Sequence, residues 1–355
     1  MHIALLLLSA GPGIARGESD ARPQAVAPPA PLPKERCAGT VPAVDGVLAA
    51  FERHRLVLLG EQHQRREFHT FLKALVDDVR FGRRVDDIAV EFGNARYQAV
   101  VDRYVSGESV DPADLARAWR DTTQILVWDS PLYASFFGAV RDRNRSRPKG
   151  RKLRVLLGDP AIDWATVTDA PSYGRFAERD RDFADVVERE VLAKGRTALL
   201  VIGGHHVMRT AASEPTSPHP GVGDLLAERH PGLAFSVFAV GQRLDVVEKR
   251  ECHPALLPAV GRTGDASFGS LVEPGVRVQR LVGGKKEWVA LSLEHWPHVR
   301  EKVDALLYLG PDFTLVPPGP DAYVDASYVR ELHRRARIMS DFYGFDMTAD
   351  LPPLR

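Results

Sequence analysis

Four apolar runs in this sequence end in side chains that can do acid–base chemistry. Leu56 to Leu59 is followed by Gly60, Glu61 and His63, and Asp87 to Phe92 carries Glu91 near its end. Leu153 to Leu157 is followed by Gly158 and Asp159, and Ala198 to Ile202 by Gly203, Gly204, His205 and His206. A carboxylate with an imidazole, such as Glu91 with His63 or His206, can take a proton from water for attack on an ester or amide carbonyl. Glu61, His63, Glu91 and His206 would also suit a divalent metal such as manganese or zinc, though their spacing is not that of a His-Glu-x-x-His zinc helix. No Gly-x-Ser-x-Gly elbow and no nearby cysteine is present, so direct attack by water is favoured over an acyl-enzyme.

Each residue also has a purely structural reading. Glu61 and His63 are expected in the first turn of a helix, where the helix dipole favours a carboxylate. Glu91 interrupts an apolar strand, so its carboxylate needs either a function or an arginine partner. Asp159 precedes Pro160 and can cap a turn. His205 and His206 are adjacent, and along a strand they would point to opposite faces.

The elements that must carry these residues alternate. The four runs, with Phe235 to Val240 after them, read as buried strands. Between them, Phe68, Phe71, Leu72, Leu75, Val76 and Val79 form one helical stripe. Further helices are expected at Ala95–Tyr104, Pro112–Arg120, Pro131–Asn144, Phe176–Ala193 and Gly223–Arg229. The pattern predicts an α/β fold, a mostly parallel sheet with helices on both faces. Parallel strands would bring all four polar sets to one sheet edge, where open α/β sheets bind ligands.

After Gln242 the rhythm weakens, and only Asp304–Leu309 reads as a core strand and Tyr328–Phe342 as a helix. Residues 37–242 are therefore expected to form the α/β domain and 243–355 a C-terminal elaboration of it. Within that elaboration, Glu331 to Arg337 is expected to be a solvated face.

These residues resemble a known group. Val57-Leu-Leu-Gly-Glu-Gln-His63 with His69 after it, the Glu91 strand, Gly158-Asp159, Arg179-Asp180 with Phe183-Ala184, and Gly-Gly-His205-His206-Val are similar to the superfamily of ChaN-like haem-uptake lipoproteins, erythromycin esterase-like hydrolases and TIKI-type proteases. The resemblance runs from about Leu56 to Val240, and its Gly-Glu-Gln-His start is most like the ChaN branch. It implies that Arg179 and Asp180 belong to the site, with Phe183 standing where the group has methionine, and that His206 rather than His205 is the working histidine. Arg179 would then steady an oxyanion or hold Glu91 ionised. The ChaN branch implies haem binding without turnover as the alternative, with Tyr97, Tyr104, Trp128 and Tyr133 as residues that could line a haem pocket or simply fill the core. A non-catalytic envelope protein that kept the fold is a third reading.

Composition limits the classes further. The 355 residues hold 47 Lys and Arg against 47 Asp and Glu, which gives no electrostatic reason for a nucleic-acid partner. A small-molecule or peptide substrate is expected instead. Ile3 to Ala10 is too short to span a bilayer, which takes about 20 residues, but suits the core of a signal peptide ending near Gly17. Residues 18–36 read as a Pro- and Ala-rich linker, so the mature chain is expected to be exported, periplasmic or extracellular, without an integral membrane segment. Cys37 lacks the small, apolar run that a lipid anchor needs, and with Cys252 it permits one disulfide in an exported chain.

Overall fold

The computed structural model describes residues 39–212, 219–241, 252–312 apart from 272–276, 283–284 and 291–296, and 314–354. The expected signal peptide, the linker and Cys37 lie outside the described residues. Cys252 is buried and disulfide-bonded, and the sequence holds one other cysteine, Cys37.

The fold is α/β, as the alternation of elements predicts. Eight strands form the main sheet: β1 (Val41–Pro42), β2 (Leu56–Glu61), β3 (Asp87–Asn94), β4 (Arg154–Asp159), β5 (Ala198–Gly203), β6 (Ala234–Val240), β7 (Ala255–Pro258) and, after a separate hairpin of β8 (Arg277–Val282) and β9 (Lys285–Ala290), β10 (Ala305–Tyr308). Their order is β1-β7-β10-β6-β2-β5-β3-β4. The six strands from β10 to β4 run parallel, and β7 and β1 close one edge antiparallel. β1 and β7 are not among the sequence expectations, because two and four residues beside prolines carry too little periodicity.

The central strands are buried on both faces, and their alternate residues feed two separate cores. Val57 and Leu59 point to one, with Phe68, Phe71, Leu72, Leu75 and Val76 of the helix Arg66–Asp77. Truncating Leu72 to Ala would cost about 2–5 kcal/mol. Val79 falls outside that stripe, because the helix ends at Asp78 in an extended conformation and leaves Val79 59% exposed. Leu56 and Leu58 point to the other core, with Phe183, Val187, Leu225 and Leu226 of the helices Arg179–Val187 and Val222–Arg229.

This topology locates a crevice. From β2 the chain crosses β5 to reach β3 by way of the helix on one face; from β5 it crosses β2 to reach β6 by way of a helix on the other. Neighbouring strands whose connections leave in opposite directions open a gap at their carboxyl ends. Glu61 and Gly203 are paired in register there.

A third apolar cluster lies over that edge. The helix Ala326–Tyr343, capped by Asp325 and closed by Gly344 at φ 71°, packs Leu332, Ala336 and Met339 against Ile125, Ile162, Trp164 and Tyr173. The expectation of a solvated Glu331–Arg337 face fails here. Arg335 is 4% exposed and donates to Asp121 at 2.7 Å and to the carbonyl of Arg120 at 2.9 Å, while Arg334 donates to the carbonyls of Trp164 and Val167. The charges are consumed by backbone oxygens and a buried carboxylate, which a one-dimensional pattern does not display.

Candidate active site

Glu61 is the last residue of β2, and the chain then turns through 62–65 before a helix starts at Arg66. It is therefore not in a helical first turn, contrary to the sequence expectation; Gln64 takes a left-handed φ of 61° and interrupts any helix there. The Glu61 carboxylate is buried and accepts from Tyr133 Oη at 2.8 Å and His69 Nε2 at 3.1 Å, both on Oε1. Its Oε2 faces His63 Nδ1 at 3.7 Å, and neither atom has a hydrogen-bond partner. Burial pushes this carboxyl up, but the two histidines outweigh it and hold it well below the usual carboxylate range. Burial likewise works against the His63 imidazolium, yet Glu61 and Glu91 raise its pKa overall.

Glu91 sits in β3 with both oxygens engaged. Arg179 Nη2 donates to Oε1 at 2.8 Å and the Gly203 N–H to Oε2 at 2.7 Å. Burial opposes ionisation, but Arg179, His206 and His63 prevail and lower its pKa to about 2. Arg179 also donates through Nε to Asp159 Oδ1 at 3.0 Å, so one guanidinium ties β3 to β4. Asp159 caps no turn before Pro160; it accepts from the hydroxyl and the N–H of Thr123, at 2.6 and 2.7 Å. For Asp159, burial wins and its pKa is raised.

β5 ends at Gly203, and residues 204–207 form one helical turn, so the two adjacent histidines separate. His205 is exposed. His206 turns inward, donating from Nδ1 to Asp180 Oδ1 at 2.6 Å, while its Nε2 stands 3.7 Å from Glu91 Oε1. Asp180 is fixed in turn by the Val222 N–H at 3.1 Å. Burial lowers the His206 pKa, but Glu91 and Asp180 more than reverse this.

Two glycines sit close against these groups. A Cβ on Gly203 would lie 3.2 Å from both His63 and His206, a tight contact with each imidazole. A Cβ on Gly158 would overlap the Phe183 ring at 2.2 Å. Glu91, Asp159, Arg179, Asp180 and His206 line a pocket of about 10 Å³, the space for about one water.

All seven candidate residues thus meet at one edge: Glu61 with His63, Asp180 with His206, and Glu91, Arg179 and Asp159 between and behind them. Thr123 is absent from the sequence expectations, and Tyr133 and Trp128 enter them only as aromatics. Tyr133 serves Glu61, and Trp128 stands edge-on to His63 with ring centroids 4.7 Å apart. Tyr97 instead donates to Asp121, and Tyr104 lies under Arg141. One readable signal is that Gly60 and Gly203 each precede a histidine by three residues on neighbouring strands.

The donor set does not fit a metal as arranged. Among the described residues no three His, Cys, Asp or Glu side chains converge on a common point. Glu61 Oε1 and both Glu91 oxygens are already bonded to Tyr133 and His69, and to Arg179 and Gly203. The lining of the small pocket, three carboxylates and an arginine beside Phe183 and Ile202, gives a porphyrin little apolar surface.

Comparison with known proteins bears out the resemblance read from the residues. Residues 47–147, which hold Glu61, His63 and Glu91, match the family model described as haem-binding uptake, Tiki superfamily, ChaN. A crystal structure of a succinoglycan biosynthesis protein is similar at 12% identity and a TM-score of 0.49, covering 75% of this chain and 90% of that one. A mutant of the erythromycin esterase EreC in its open conformation is similar at 14% identity and a TM-score of 0.43, covering 76% and 94%. ChaN of Campylobacter jejuni, with cofacial heme, gives 14% identity and a TM-score of 0.36 over 57% and 87%. No curated protein matches the chain.

Proposed function

We propose that this protein is an exported hydrolase of ester or amide bonds that activates water at the carboxyl ends of β2, β3 and β5. The observation that carries this reading is a pair of imidazoles beside Gly203, His206 bonded to the Asp180 carboxylate and His63 standing 3.7 Å from that of Glu61. Asp180 accepts the Nδ1 proton of His206, which leaves Nε2 free to take a proton from a water beside Glu91. Asp180 then stabilises the imidazolium. His63, backed by Glu61, is placed to return a proton to the leaving group. The Nε and Nη2 groups of Arg179 are spent on Asp159 and Glu91, so its role is to keep Glu91 ionised and fixed.

An ester and amide panel with wild type, His63→Ala and His206→Ala tests this. Turnover in wild type, reduced about a hundredfold or more in each variant at unchanged melting temperature, supports it. Full turnover in His206→Ala refutes it.

Export is supported by the apolar start of the chain, and among the described residues no helix is long and apolar enough to cross a membrane. Intact mass of protein from an exporting host should show loss of residues 1–17; an intact start in the cytosolic fraction would refute it. The description of the matching family model favours a second reading, haem binding without turnover. It predicts a Soret shift on adding hemin, with no hydrolysis of any panel member, at a surface other than the one-water pocket.

A further inference from the structure

Three stretches far apart in the chain meet over the strand ends: 62–66, 121–130 and 314–328. Among the described residues, Gln64 and Leu126 are the non-glycine residues with left-handed φ, at 61° and 67°. They belong to neighbouring loops that are tied together. Gln64 Nε2 donates to the carbonyl of Val127 at 3.0 Å, and Gln64 N–H donates to Tyr133 Oη, the hydroxyl that holds Glu61. Trp128, from the second loop, forms the wall against which His63 stands.

Both loops are held from outside by the C-terminal segment. The Val316 N–H donates to Gln64 O at 2.8 Å, the Arg66 N–H to Thr314 O at 3.0 Å, and the Thr314 N–H to Glu67 at 2.7 Å. Next to Trp128, Asp129 has a side chain 2% exposed and accepts from Tyr323 Oη at 3.0 Å and Tyr328 Oη at 2.9 Å. Arg120 covers the Tyr328 ring at 4.7 Å and donates to Ala322 O.

We propose that residues 314–328 form a clasp that completes the site, and that Asp129, Tyr323 and Tyr328 are positioning residues acting on His63 through Trp128. A buried carboxylate is costly unless donors satisfy it, and both hydroxyls bonded to Asp129 come from the clasp. Left-handed residues persist only where their surroundings over-determine them, and the clasp with the Gln64–Val127 bond supplies that constraint. His63 is then fixed from three sides: Glu61 behind it, Gly203 and His206 beside it with Glu91 beyond, and Trp128 across it. The proposal rests on the reading of His63 as a working residue.

The test uses the full chain with Tyr323→Phe and Tyr328→Phe combined, and Arg334→Ala as a control. Arg334 fastens the same helix to Trp164 and Val167 without touching either loop. The ring proton resonances of His63, assigned by their loss in His63→Ala, report the ring current of Trp128 and need no turnover. The double variant should shift those resonances and lower kcat roughly tenfold with KM unchanged. Arg334→Ala should lower the melting temperature and leave the resonances in place. Unmoved His63 resonances in a folded double variant would overturn the clasp. If the double variant fails to fold, Asp129→Asn gives the same readout, and unmoved resonances there overturn it equally. A wild type that hydrolyses nothing would count against the hydrolytic reading alone, because the resonances read geometry.

Discussion

β3 carries two buried carboxylates, Asp87 at its first residue and Glu91 where its regular pairing stops, and their surroundings differ. At its start, Asp87 receives both prongs of Arg196, at 2.6 and 2.8 Å, with Arg154 at 3.8 Å. One carboxylate faces two arginines, no histidine among the described residues partners it, and the strand end is fastened to its neighbours. Four residues on, Glu91 and Asp159 share Arg179, and Glu91 also has the imidazole of His206 near it. The Oε1 atom that Arg179 holds also faces His206 Nε2 at 3.7 Å, too long for a hydrogen bond, and both residues line the small pocket. Burial, ion pairing and two accepted hydrogen bonds are common to both. What distinguishes the second is an imidazole beside it, a group that can move a proton.

Neutralising each carboxylate in turn separates the two. Glu91→Gln should lower turnover about a thousandfold in a folded protein. Asp87→Asn should leave turnover per folded molecule within about twofold and cost stability instead, about 2 kcal/mol given that Arg196 keeps access to water. Equal losses of turnover from both, measured on material matched for folding by circular dichroism, would erase the distinction.

Asp180→Asn probes the proposed proton route beside Glu91. The amide no longer fixes the Nδ1–H tautomer of His206 or supports its imidazolium, so kcat should fall roughly a hundredfold. An unchanged kcat in that variant would remove His206 as the base.

Acid stability sharpens the contrast further. The Glu91 carboxyl is depressed from 4.5 to about 2, so its contribution is complete above the higher value and is lost as pH falls through the lower one. That contribution is about 3 kcal/mol. Denaturant titrations should show wild type losing stability over this window and Glu91→Gln losing less; parallel curves would contradict the assignment. The smallest effect concerns packing: Gly158→Ala forces the Phe183 ring away and should cost about 1–3 kcal/mol by chemical denaturation. A neutral result would show that the strand end tolerates a shift.

Much of this was legible in the residues. The parallel strands appear as apolar runs because they are buried on both faces, and Glu91 stands out because nothing apolar explains it. The shared edge follows once the strands are parallel. What escaped depends on partners distant in sequence. Thr123, Trp128 and Asp129 sit in an irregular loop whose meaning comes from Asp159, His63 and two tyrosines nearly 200 residues later in the chain. The helical charges of Arg334 and Arg335 look solvated in one dimension, yet their acceptors include backbone carbonyls of other segments and the Asp121 carboxylate. The place of Glu61 was misread because a helical stripe does not reveal a left-handed residue at Gln64.

In the proposed reaction a water at the Glu91 edge attacks the substrate directly. A single turnover with enzyme in excess, in isotopically labelled water, tests this with an ester or amide that wild type cleaves. The label should appear in the released acid on the first turnover and not in the protein. Label in the Glu91 carboxylate, with an unlabelled first product, would show attack by the carboxylate itself and contradict it.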